Sequence, residues 1–384
     1  MQTLSLLRDL IAFPTVSSEP NRELIDYCAA LLRKAGAHVQ LIEDDSGSKA
    51  NLFATVGPLE SGGVILSGHT DVVPVDGQDW TYPPFQLSEA NGNVYGRGTA
   101  DMKGFVAAAL AATLRACDVP LRTPLHLALS YDEEIGCIGV RSMIEMLAAA
   151  PFRPRFCIVG EPTGMAVATG HKGKTAFRVT ATGHEAHSAL APTGLNAIYL
   201  ATEMIGAIRT LQDDLRVNGS SDTDYDIGYT TLHVGTIAGG ETLNIVPNNA
   251  SFMAEIRNLV EDDPQTLLDT LAERTRAIIE PHKEQFPNAD LTIEVTNSYP
   301  PLGTEPDAEI ICFVKSLTGA NDTKKVAFGT EAGLFDGQLD VPTVVCGPGS
   351  MAQGHKPDEF VSREQLARCD AMLDALLERL QVGL

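Results

Sequence analysis

Short apolar runs that end in small residues and open directly onto a lone histidine or acid recur along this chain, and few folds accommodate them. Val64–Ser67, Leu125–Ser130 and Arg155–Val159 are continuous or nearly continuous apolar stretches. Such runs mark strands covered on both faces, as in a parallel sheet sandwiched between helices. Ala37–Ile42 and Asn51–Val56 also read as strands. Helical patterns alternate with them: Asn21–Ala35 places Ile25, Cys28, Ala29 and Leu32 on one face and stops at Gly36, where a glycine can cap it. Asp101–Cys117, rich in alanine and leucine after a glycine-rich turn, predicts a buried helix with Asp101 near its N-terminus. The fold class is therefore α/β, a mostly parallel sheet flanked by helices.

The texture changes near Lys174. Thr175–Thr182 alternates like a half-exposed strand, Gly194–Leu211 reads as a helix, Thr230–Ile237 and Ala250–Asn258 as strands, Pro264–Ile279 as a helix and Asp290–Thr296 as a last strand. The order β-α-β-β-α-β is a split βαβ, ferredoxin-like unit complete in itself. The polar stretch Asn218–Asp226 reads as a surface loop. After Pro300-Pro301 the first texture resumes, with a helix near Ala308–Leu317, a strand at Val341–Cys346 and an amphipathic helix over Arg363–Gln381. The predicted organisation is a domain in two parts, 1–173 and 299–384, carrying an insertion at 174–298. The 384-residue length suits roughly two to three domains.

Five side chains able to bind metal stand after the apolar runs: His69 in Gly68-His69-Thr70-Asp71, Asp101 in Gly98-Thr99-Ala100-Asp101-Met102-Lys103-Gly104, Glu134 in Asp132-Glu133-Glu134, Glu161 in Gly160-Glu161-Pro162-Thr163, and His355 in Gly354-His355-Lys356-Pro357. Loops at the carboxyl ends of parallel strands converge on one crevice, so residues distant in sequence can meet there. Two imidazoles and three carboxylates suit a pair of zinc-like ions. Taken singly, each has a plainer reading: Asp101 as a helix cap, Glu133 and Glu134 as first-turn acids favoured by a helix dipole, a loop histidine as surface. Capping, however, predicts neither histidines after strands nor a second, redundant carboxylate.

Other chemistries find little support. The chain has no Gly-x-Ser-x-Gly elbow, no dinucleotide or Walker-type glycine turn and no His-Glu-x-x-His helix. Gly347-Pro348-Gly349 reads as a turn toward His355 in preference to an anion cradle. A net charge of -22 argues against nucleic acid as a partner. No apolar run approaches the ~20 residues that span a bilayer, and Arg8 and Asp9 interrupt the apolar stretch of Met1–Pro14, which does not read as a signal peptide. Seven scattered cysteines with no Cys-x-x-Cys pair disfavour a disulfide framework and a thiolate zinc site, and point to a reducing cytoplasm.

His69-Thr70-Asp71, Gly96-Arg97-Gly98-Thr99-Ala100-Asp101-Met102-Lys103-Gly104, Glu133-Glu134, Gly160-Glu161-Pro162-Thr163 and His355 together resemble the di-zinc metallopeptidase family that includes carboxypeptidase G, aminoacylase, succinyl-diaminopimelate desuccinylase and acetylornithine deacetylase. The resemblance covers essentially the whole chain. It implies one zinc on His69 and Glu161, another on Glu134 and His355, Asp101 bridging both, and cobalt as a possible substitute. It further implies Asp71 as the partner of the His69 imidazole's other N–H, Glu133 as general base, and a cis peptide at Asp101-Met102. In Gly183-His184-Glu185-Ala186-His187-Ser188-Ala189, His187 falls on a lid histidine that donates to the scissile carbonyl oxygen across a dimer, with His184 the alternative. Asn244 and Arg257 match positions that hold a substrate carboxylate. A homodimer through the inserted domain is the implied assembly.

Ala168-Thr169-Gly170-His171-Lys172-Gly173, Phe328-Gly329-Thr330-Glu331-Ala332-Gly333 and Gly98–Phe105 resemble acetylornithine deacetylases, whereas desuccinylases carry Ser-Gly-Gly-Thr-Ser-Asp-Gly at the second of these. The implied reaction is hydrolysis of N-α-acetyl-ornithine, a step of arginine biosynthesis, with Glu331 as a candidate reader of the substrate ammonium or else a structural carboxylate. A related N-acyl-amino-acid hydrolase or dipeptidase, and a non-catalytic binding protein on the same fold, are the alternatives.

Overall fold

The computed structural model describes residues 2–59 and 61–384. Helices α1 (Gln2–Ile11) and α2 (Arg22–Ala35) lead into β1 (His38–Glu43), β2 (Ala50–Val56) and β3 (Val64–His69). Helix α2 buries Leu24, Ile25, Cys28, Ala29 and Leu32 and ends on Gly36, whose φ of 95° lets its N–H turn back to the carbonyls of Arg33 and Leu32. The α1 helix, passed over in the sequence, buries Leu6, Leu7, Leu10 and Ile11 at helical spacing. A small hairpin, β4 (Ser88–Ala90) and β5 (Asn93–Tyr95), precedes α3 (Lys103–Ala116), which is buried on almost every side as its composition predicts. Next come β6 (Leu125–Ser130), α4 (Val140–Ala148), β7 (Phe156–Pro162) and β8 (Val167–His171).

The chain then forms β9 (Lys174–Thr182), α5 (Ala197–Asn218), β10 (Thr231–Gly239), β11 (Asn249–Arg257), α6 (Pro264–Ile279) and β12 (Asp290–Tyr299). It closes with β13 (Leu302–Gly303), α7 (Glu309–Thr318), β14 (Thr323–Val326), α8 (Ala332–Leu339), β15 (Thr343–Gly347), β16 (Phe360–Ser362) and α9 (Arg363–Val382). Two compact units result: one runs through His171 and resumes from Leu302 to Leu384, and the other is Lys172–Pro301. The second exceeds the predicted limits of 174 and 298 because the β9–β12 ladder continues to the Lys174–Tyr299 pair.

In the first unit the sheet order is β1-β2-β6-β3-β7-β15-β8-β13, with β14 pairing β8. The central strands β6, β3, β7 and β15 run parallel and are buried along their whole length. Antiparallel strands flank them: β2 and β1 on one side, β8 and β13 on the other. A separate small sheet, β16-β5-β4, stands apart. In the second unit the antiparallel sheet β10-β11-β9-β12 turns Phe177, Val179, Ala181, Phe252 and Ala254 onto a core shared with α5 and α6. Among the described residues no helix is long and apolar enough to cross a membrane.

Two glycines let the central strands and α3 approach closely where the site lies. A Cβ on Gly160 would stand 1.9 Å from the Phe105 ring, and one on Gly347 would stand 1.9 Å from the Gly160 carbonyl oxygen. Gly160→Ala is therefore expected to destabilise the protein by about 1–3 kcal/mol through overpacking, measurable as a lower urea midpoint. An unchanged midpoint would show that β7 and α3 part without cost.

Candidate metal centre

His69 is the last residue of β3 and Glu161 lies at the carboxyl end of β7. Glu133 and Glu134 follow β6, after Asp132 with φ of 52° turns the chain. His355 follows β15 in a loop and itself takes φ of 60°. Asp101 departs from the expectation that every ligand follows a strand of the large sheet. It sits in the turn between β5 of the small sheet and α3, and the Asp101-Met102 peptide is cis.

All five come together. His69 Nε2 lies 3.2 Å from Asp101 Oδ1 and 3.7 Å from Glu161 Oε1. On the other side His355 Nε2 lies 3.2 Å from Asp101 Oδ2 and 3.1 Å from Glu134 Oε2. Asp101 thus presents a different oxygen to each imidazole. Donors bound at ~2.0–2.1 Å to a tetrahedral zinc stand about 3.3 Å apart, so these spacings fit a cation on each side of Asp101. The donor atoms of His69, Asp101 and Glu134 also lie within 4.8 Å of one another, as do those of His69, Glu133 and Glu161. Proximity to His69 therefore does not separate Glu133 from Glu134. Their other neighbours do: Glu134 faces His355, whereas Glu133 Oε1 accepts the Cys137 thiol at 3.3 Å.

Asp71 meets the His69 ring with both its main chain and its side chain. The His69 Nδ1 is 2.9 Å from the Asp71 main-chain oxygen and 3.5 Å from its carboxylate. That carboxylate accepts the main-chain N–H of Glu133 (3.1 Å) and of Glu134 (3.3 Å), and the Ser17 hydroxyl (2.7 Å). One residue thereby aligns the histidine and the glutamate pair. Glu331 is buried at 1% exposure with Ser67 Oγ donating to its Oε2 at 3.3 Å, behind β3, so as placed it offers no face to solvent.

Burial concentrates charge here. It pushes Glu134 up to about 7, with Asp101's charge adding to the effect, lifts Glu331 to about 7, and raises Glu133 and Glu161 well above the ordinary carboxyl range. Asp101 is held below its ordinary value, because hydrogen bonds from His355 and His69 outweigh its burial. Hydrogen bonds to Asp101 and Glu134 raise His355 to about 10. Burial opposes charge on His69, yet its carboxylate partners leave it raised. Acids that resist ionisation because of burial and like charges beside them are what a bound cation relieves.

In the second unit His187 is exposed and its Nδ1 accepts the Ala189 N–H at 3.1 Å. Asn244 lies beside it, its carbonyl accepting the Ser188 N–H at 3.0 Å. His184 instead packs against the Phe286 ring. Arg257 is engaged by Glu255 at 3.0 and 3.2 Å and by the Tyr299 hydroxyl at 3.2 Å. The Gly347-Pro348-Gly349 segment is a turn, with the Gly349 N–H given to Gln365, and all seven cysteines are unpaired. Sequence reasoning passed over Ser17, Gln78 and Glu359. Only Arg97, a cation set between glycines in the Asp101 motif, carried a signal.

The profile of Peptidase family M20/M25/M40 matches residues 65–379. The chain belongs to this family. As a member it is a metal-dependent hydrolase. Acetylornithine deacetylase of Myxococcus xanthus is 35% identical over 377 residues, covering 96% of this chain and 94% of the relative. Among solved structures, an M20 family metallo-carboxypeptidase of Sulfolobus solfataricus matches with a TM-score of 0.79 at 20% identity, covering 100% of both chains. A dinuclear metal-binding M20 peptidase of Bacillus subtilis matches at 0.69 and 14%, covering 100% of this chain and 98% of its own. These two likenesses bear on the fold.

Metal ligation requires neutral imidazoles and ionised carboxylates, so a metal at this site competes with protons on groups whose surroundings favour the protonated form. Since rising pH removes the competing protons, apparent metal affinity is expected to increase from pH 6 to 8. Calorimetry in buffers of different ionisation enthalpy should show net proton release on loading. Affinity independent of pH would contradict the charge states described.

Proposed function

We propose that this chain hydrolyses N-α-acetyl-L-ornithine to L-ornithine and acetate, as a cytoplasmic step of arginine biosynthesis, with two zinc ions as its metals and cobalt as a substitute. The observation that carries the dinuclear reading is Asp101, whose two oxygens each face a different imidazole at 3.2 Å. In this reading His69 and Glu161 hold one metal, Glu134 and His355 the other, and Asp101 both. The substrate follows from full-length relatives named acetylornithine deacetylase and from the Phe328–Gly333 and Ala168–Gly173 segments.

When bound, the metal pair supplies an acidified water and neutralises charge growing on the carbonyl oxygen. Glu133 would serve as the base, taking a proton from the attacking water and giving it to the leaving amine. Its burial and the absence of a cationic side chain bonded to it suit a carboxylate that holds a proton between two steps. Asp71 keeps Glu133 and Glu134 in register through their main-chain N–H groups. His187 donates to the carbonyl oxygen: with Nδ1 accepting the Ala189 N–H, its neutral ring carries the proton on Nε2. Asn244 and Arg257 hold the substrate carboxylate, for which the guanidinium fork is suited, Arg257 exchanging part of its hold on Glu255. The burial of Glu331 favours the support of β3 beneath His69 over direct reading of the ornithine ammonium.

Homodimerisation belongs to this reading. In the second unit β10 is an edge strand, and Ile237, Leu243, Ile245, Leu190 and Tyr199 are exposed apolar side chains of that unit, Leu243 completely so. An open edge with apolar flanks is a surface suited to a second copy.

The deciding comparison is acetate release from acetyl-ornithine against succinate release from succinyl-diaminopimelate by the zinc- or cobalt-loaded protein. A large preference for acetyl-ornithine is expected, a preference for the second substrate makes the chain a desuccinylase, and binding without turnover of either makes it a non-catalytic relative. Glu133→Gln should lower kcat by about 10²–10⁴-fold while the protein still takes up both metals. A kcat within a few-fold of wild type would remove Glu133 from the role of base.

A further inference from the structure

One charged pair near the centre touches neither the acids nor the imidazoles. Arg97 and Glu359 are both 1% exposed and bonded at 2.7 Å through Nη1 and Oε2. The other Glu359 oxygen accepts the main-chain N–H of Ala100 (2.9 Å) and of Asp101 (3.0 Å). From the other side of the pair, Arg97 Nη2 donates to Gln78 Oε1 at 2.7 Å, and Nη1 also reaches the Lys356 carbonyl at 3.3 Å. Gln78 then donates through Nε2 to the His355 carbonyl at 3.2 Å. Trp80 donates to Gln78 at 3.1 Å and lays its ring 4.9 Å from the Arg97 guanidinium. A continuous chain of hydrogen bonds therefore links the backbone of Asp101 to the backbone of His355.

Burying a guanidinium and a carboxylate costs several kcal/mol of desolvation per ion, and a well-packed apolar pair often serves stability as well. Geometry is what the pair adds here. His69 and Glu161 lie on central strands whose ladders already fix their backbones. Asp101 lies in a turn and His355 in a loop, so each needs another anchor. The anchor they have is shared.

We propose that Arg97 and Glu359, relayed through Gln78, are positioning residues for Asp101 and His355, and that losing the relay weakens the metal held by Asp101, Glu134 and His355 more than the metal held by His69, Asp101 and Glu161, which shares Asp101 but has its other two ligands on strands. This inference rests on the dinuclear reading above. Neither residue reaches the reacting atoms; both act through the main chain of the ligands.

The test is cobalt(II) titration of the metal-stripped protein, followed by visible absorption and by emission of Trp80, the single tryptophan. Wild type, Glu359→Gln and Gln78→Leu are compared, with His355→Ala marking which equivalent belongs to the His355 side. In Glu359→Gln the equivalent abolished by His355→Ala is expected to weaken about 10–100-fold, the usual reach of groups that orient ligands, and the other, which shares Asp101, by several-fold less. Gln78→Leu, at a half-buried position, should shift the same equivalent in the same direction by less. If Glu359→Gln does not fold, Gln78→Leu decides alone. Equal weakening of both equivalents, or no change in either, overturns the inference. A wild-type chain that takes up fewer than two equivalents overturns the dinuclear reading and this inference with it.

Discussion

The structure turns on the cost of bringing like charges together out of water. Asp71, Asp101, Glu133, Glu134, Glu161 and Glu331 crowd around the imidazoles of His69 and His355, and the exposures of all the acids are low. Their surroundings favour protons on the imidazoles and the neutral form of the glutamates. A bound cation would reverse that balance, setting a positive charge among the carboxylates. Bound metal is then a source of folded-state stability as well as of chemistry.

The scaffold meets this cost by supplying rigidity where it is needed. Parallel strands buried on both faces end together, and their carboxyl ends deliver His69, Glu161 and the Glu133-Glu134 pair to one place. Glycines at 160 and 347 allow β7, β15 and α3 to pack at distances that any side chain would obstruct. Asp71 links the ends of β3 and β6 through hydrogen bonds to the glutamates that follow β6. Asp101 and His355 come from outside the sheet, and a polar network in place of strand pairing holds them.

The second unit is built on a different logic. Its sheet alternates buried and outward residues, so one face packs on α5 and α6 while its edge strand β10 and a loop carrying Asn244 beside His187 remain open. Arg257, on the strand β11, is instead engaged by Glu255 and Tyr299.

Much of this was legible in the chain itself, because local pattern and covalent chemistry reach that far. Apolar runs without a polar face dictated strands buried on both sides, Gly36 dictated the end of α2, and the β-α-β-β-α-β order dictated a self-contained insertion. Donor types at His69, Asp101, Glu134, Glu161 and His355 dictated a metal rather than a nucleophile. What only the tertiary structure decided were the relations between residues far apart in sequence. It chose the main-chain oxygen of Asp71, not its carboxylate, as the nearer partner of His69, and it buried Glu331 behind β3. It also extended the insertion to Pro301 and drew Gln78, Arg97 and Glu359 into one chain of bonds. Hydrogen bonds of this kind depend on distances of a few tenths of an ångström between segments hundreds of residues apart, and no periodicity or propensity along the chain encodes such distances.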